Sequence, residues 1–236
     1  MQGAMISYGL LAGLAIALIY VAFTDIRRRQ IDNWLNAGIA LAAPLYWWAC
    51  GLPLADIGWQ IGLALAAFGL AALLFYIGQM GGGDVKLIAA LALWFPPIDF
   101  LKLTMMMALL GYILSVAPAI PNMDRAGMSR PRLAFTYACG GAGVLISIYA
   151  VYMLSGGPAL SFGLFDDAAN SLLGNPWLYL ATLIGGLTVV GLGMLPIVRR
   201  QRSRLATPYG VAIAGGGLWL LASDYLLAAP APIISG

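Results

Sequence analysis

Apolar residues run along this chain in long unbroken stretches, roughly 4–24, 33–53, 57–78, 85–97, 100–120, 133–154, 176–198 and 207–228, separated by short polar breaks. Most of these runs are near the ~20 residues an α-helix needs to cross hydrocarbon. The pattern predicts an all-α, polytopic membrane protein of about eight transmembrane helices, with residues 1–236 forming a single transmembrane domain. One run is unusual. Val85 to Phe95 rises only some 16 Å at about 1.5 Å per residue before Pro96-Pro97 halts it. A helix that short crosses if its start is sunk below the membrane surface, so the residue ahead of it, Asp84, is expected in a wet recess.

Counting the short segment as a crossing places Arg27, Arg28, Arg29, Lys86, Arg125, Arg130, Arg132, Arg199, Arg200, Arg202 and Arg204 on one side and only Lys102 on the other. Basic residues favour the cytoplasmic side, so the Arg-bearing loops are expected there and both termini outside. The first run lacks a basic start and is expected to be a retained span rather than a cleaved signal. Ser155 to Asn175 reads as an external loop without a chemical signature.

Composition agrees with a lipid environment, since 62% of residues are hydrophobic and 9% charged. Histidine is absent and the only cysteines are Cys50 and Cys139. Ser-His and Cys-His pairs and the H-E-x-x-H zinc motif are thereby excluded, and no metal or other cofactor is expected. Both cysteines are expected to be packing residues, and Met105-Met106-Met107 and Trp47-Trp48 to face lipid or its interface. A net charge of +3 gives nucleic-acid binding little support.

Any hydrolytic chemistry must therefore come from carboxylates. Asp25 closes the first run and Asp84 follows Gly81-Gly82-Gly83; with two spans between them, both reach the same membrane face. Singly, each has a plain structural reading: Asp25 as an interfacial residue beside the Arg27–Arg29 cluster, and Asp84 as the N-cap of a helix starting at Val85. Together they mean more, because carboxylates at membrane depth are costly and usually functional. Two acids close together do not both ionise easily, which leaves one as base toward water and its protonated partner as acid toward a carbonyl. The three glycines permit close backbone approach, a place for an extended substrate strand. Lys86 is a candidate contact for an acidic substrate residue. Pro208-Tyr209-Gly210 reads as a plain helix start.

Asp25-Ile26-Arg27-Arg28-Arg29-Gln30-Ile31-Asp32-Asn33, Gly81-Gly82-Gly83-Asp84-Val85-Lys86-Leu87 and Pro208-Tyr209-Gly210-Val211-Ala212 resemble the type IV prepilin peptidases, a branch of the GxGD membrane aspartyl proteases. The resemblance covers about residues 5–120 and 205–228. It implies removal of a short basic leader from type IV pilin-like precursors at the cytoplasmic face of a bacterial inner membrane. By the family's motif Asp25 and Asp84 are the catalytic pair, with Gly81, Gly82, Gly83 and Lys86 toward substrate. Relatives that also N-methylate the product carry a large insert after the first span. Here few residues separate spans one and two, as in the compact peptidases of Flp or tight-adherence pili, so methylation is not expected. Asp32 departs from the pattern, standing where the family often has proline. A proton-coupled transporter using the two acids as a relay is the main alternative, although no inverted repeat is evident.

Overall fold

A computed structural model describes residues 2–157, 192–193, 195–202 and 209–226. The helices are α1 (Gln2–Arg28), α2 (Asn33–Cys50), α3 (Leu54–Tyr76), α4 (Gly82–Ala92), α5 (Pro97–Ala119), α6 (Arg130–Leu154) and α7 (Tyr209–Leu220), the last continuing into a π-helical turn, Leu221–Leu226. No strand occurs among the described residues beyond a single bridge between Met123 and Gln201. Among the described residues, four helices are long and apolar enough to cross a membrane: Gly3–Arg28, α3, α5 and α6. Asn33, Asn36 and Pro44 dilute α2, while the 11 residues of α4 are too few. The expected loop from Ser155 to Asn175 and the span 176–198 lie almost wholly outside the described residues.

The chain forms two compact units, Met1–Gly111 with Pro208–Gly236, and Tyr112–Thr207. The first unit is built around α4, which packs against α2, α3 and α7 while α1 packs against α2 and α7. Leu87 and Leu91 of α4 and the following Trp94 and Phe95 are among the most deeply buried side chains, with Leu18 of α1. Indole N–H groups tie the packed helices together through backbone carbonyls. Trp94 Nε1 donates to the Ile39 carbonyl at 2.9 Å, and Trp47 Nε1 to the Leu93 carbonyl at 2.7 Å. Beside them, Lys102 is bonded to Asp99 and Asp224, and the Tyr225 hydroxyl donates to Asp99, tying the start of α5 to the π-helical turn. In the second unit, α6 buries Thr136, Cys139 and Ser147, and backbone bonds join Asp124 to Arg200 and Arg202 to Asn122.

Three packing expectations change. Trp47 is buried and only Trp48 faces outward, because neighbours on a helix point about 100° apart and cannot share one lipid-facing stripe. Met106 is buried for the same reason, between the outward Met105 and the half-buried Met107. Of the cysteines, Cys139 is buried, whereas Cys50 is exposed at the last turn of α2.

Candidate active site

Asp25 sits in the last turn of α1, 6% exposed, and its side chain reaches the start of α7. The Val211 N–H donates to Asp25 Oδ2 at 3.1 Å. A helix N-terminus presents unpaired amides and partial positive charge, so the first turn of α7 is a natural seat for a carboxylate. Gly210 makes the approach possible: a Cβ there would lie 2.9 Å from Asp25 Oδ2 and 2.9 Å from Ile31 Cδ1.

Asp84 is held in a parallel way. The helix begins at Gly82, three residues ahead of the expected Val85, so Asp84 lies within its first turn rather than at the N-cap. From there its Oδ2 reaches back to accept the Gly81 N–H at 3.2 Å. A Cβ on Gly81 would lie 2.9 Å from that oxygen. The expected capping role is thus present in altered form, as a first-turn carboxylate closing on the N-cap amide. It does not consume the group, since Asp84 Oδ1 takes no part in that bond.

Residues 29–32 alone join α1 to α2, and they bring the two acids' supports together. Ile31 packs on both: a Cβ at Gly83 would meet Ile31 Cβ at 3.1 Å, as the Gly210 position meets its Cδ1. Arg29 has φ 55, a left-handed turn that ends α1. Asp32 takes the N-cap position of α2 with φ −67 and ψ 132, within the narrow range a proline ring imposes. Aspartate therefore preserves the backbone shape expected of a proline. Asp32→Pro is expected to keep activity and to raise stability by roughly 0.4–1 kcal/mol by restricting the unfolded chain, read as a higher thermal midpoint in detergent. A fall in the midpoint would show that Ile31 or the Asp32 N–H does not tolerate the ring.

Asp25, Gly81, Gly82, Gly83, Asp84 and Lys86, the six residues singled out in the sequence, all line one cavity of about 490 Å³ together with Arg29, Gln30, Ile31, Asp32 and Asn33. Its walls are mostly polar, as expected of a recess open to water. Lys86 is exposed at the rim and donates to Asn33 Oδ1 at 2.7 Å. Asn36, 3% exposed, donates its Nδ2 to the Gly83 carbonyl at 3.0 Å and so fixes the glycine loop from behind.

Four of these participants were not evident as site residues in the sequence. Asn36 stood inside an apolar run, where an uncharged polar residue is a weak signal, and Ile31 looked like any loop aliphatic. Gly210 and Val211 belonged to a motif read as a simple helix start; Pro208 itself lies outside the described residues.

Comparison with curated proteins and with solved structures found no match. A model of the type IV leader peptidase family matches residues 12–120, a segment that carries Asp25, the glycine loop, Asp84 and Lys86. Within this chain, then, residues 12–120 belong to the type IV leader peptidase family.

Proposed function

We propose that the protein is a membrane aspartyl endopeptidase that removes the short basic leader from type IV pilin-like precursors of the Flp kind, at the cytoplasmic face of a bacterial inner membrane. The observation that carries this reading is the convergence of Asp25 and Asp84 on one polar cavity, each carboxylate anchored through Oδ2 to a backbone amide beside a glycine. Eight crossings, with α2, α4 and the segments 176–198 and 207–228 added to the four long helices, put that cavity on the side of the Arg-bearing loops. The direct α1–α2 connection has no room for the insert that accompanies methylation, so cleavage alone is assigned.

In the proposed step, water between the acids gives a proton to Asp25 as its oxygen attacks the scissile carbonyl carbon. Asp84 donates its proton to the carbonyl oxygen. When the tetrahedral species collapses, the C–N bond breaks and the leaving amine takes the proton held by Asp25, while the carbonyl oxygen returns its proton to Asp84. Both acids end as they began. The cavity's glycine backbone is the seat for the extended chain around the cut, and Lys86 a rim cation for an acidic substrate group.

Initial rates of precursor cleavage, followed by mass with the purified protein in lipid nanodiscs, test the assignment. Loss of the short leader is the expected result, and a precursor that keeps its full mass would refute the peptidase reading.

A further inference from the structure

A second cavity of about 460 Å³ adjoins the polar one and shares Asn33 and Lys86 with it. It is apolar and has three walls, each a single face of a helix. On α3 the lining residues are Ile61, Ala64, Leu65 and Phe68, spaced i, i+3, i+4 and i+7; α2 contributes positions 33 to 40 and α4 positions 86 to 93 at the same spacing. Each wall is therefore a stripe of about two turns, roughly 10 Å long. Ala37 and Ala40 on α2 and Ala89 and Ala90 on α4 make those two walls shallow, while Ile61, Leu65 and Phe68 of α3 are exposed. Two walls opened by alanine facing one of larger apolar side chains leave a slot that accepts a fourth helix, because small side chains let backbones approach.

The groove is polar at one end only, where it meets the acids. There Asn36 lines it, and although its Nδ2 is committed to the Gly83 carbonyl, its buried Oδ1 has no hydrogen-bond partner. A buried acceptor left unpaired is costly and points to a donor missing from the isolated chain. The opening turn of any helix carries amides with no internal partner, and an asparagine oxygen is a good acceptor for them.

The geometry points to this groove as the docking site for the apolar membrane-spanning helix of the substrate, the part that follows the cut. The reading rests on the proposed peptidase function. The precursor's spanning helix enters from the lipid between α2 and α3 and lies over α4, with its first turn capped by Asn36 Oδ1. The stretch ahead of that turn then runs without a break into the cavity holding Asp25 and Asp84. One helix thus sets the distance from the membrane-embedded segment to the scissile bond. An acyl chain would fill the apolar walls but offers no donor to Asn36.

The test uses the full chain in nanodiscs and a synthetic precursor with a short basic leader followed by an apolar helix of about 20 residues. With p-benzoylphenylalanine at Phe68, irradiation should link the protein to the precursor's apolar segment, while the same probe at Ile16, exposed on α1 and outside the groove, should not. Ala37→Trp, from an exposed position on the α2 wall, should raise KM for this precursor about tenfold, the equivalent of 1.4 kcal/mol, with a smaller effect on kcat. Cleavage that proceeds while the Phe68 probe marks only lipid, or while Ala37→Trp keeps the original KM, would overturn the docking site alone. No cleavage by the unsubstituted protein would overturn the peptidase reading and this inference with it.

Discussion

Asp25→Asn and Asp84→Asn are each expected to lower the rate of precursor cleavage by on the order of 10³, the size of effect that loss of a positioned acid or base produces. Asparagine keeps the shape and the amide-facing oxygen of aspartate, so the bonds from Val211 to position 25 and from Gly81 to position 84 survive. Folding should survive as well, since each substitution removes a carboxylate from a site where charge is costly. The mutants should therefore elute and melt like the parent while the precursor keeps its full mass. Among the described residues neither acid has a substitute, because the one other carboxylate lining the cavity is Asp32, which serves as the N-cap residue of α2. Retained cleavage by either variant would remove that residue from the chemistry.

Gly210→Val carries the second large effect, in a residue outside the segment matched to the family. Its first side-chain carbon would fall 2.9 Å from Asp25 Oδ2 and 3.0 Å from Cγ, closer than real contacts permit, and Ile31 blocks the other direction. Either the carboxylate turns away or α7 retreats and the Val211 amide is lost. Displacing a catalytic group by about 1 Å can cost on the order of 10² in rate, and that loss is expected in kcat. Gly13→Val, on the same helix as Asp25 but with open space at its Cβ, should retain parental activity. Equal kinetics for both valine variants would show that α7 does not hold Asp25.

The difference between these residues explains what the sequence revealed. Long apolar runs announce membrane helices because hydrocarbon demands them, and intramembrane acids stand out because they are expensive there. Asp25, Asp84 and the triple glycine were legible for that reason, and they line one cavity. Contacts across 186 positions, such as Val211 to Asp25, leave no local trace. Three glycines in a row look like a loop, but α4 begins among them because Asp84 closes on the Gly81 amide. A Trp47-Trp48 pair suggests an interfacial belt, yet Trp47 lies inside, where its indole N–H reaches the Leu93 carbonyl. Asp32 taught the reverse lesson, since an unexpected residue keeps the backbone angle that the expected one would impose.

The central claim is that Asp25 and Asp84 act as one unit on one water. Single-turnover cleavage, followed by precursor mass for the two Asn variants and for the chain carrying both, tests it most directly. Residues that work jointly lose everything at the first removal, so the double variant should cleave no more slowly than the slower single one. A double variant slowed by the product of the two single losses would mean that the acids contribute independently, and would contradict the account.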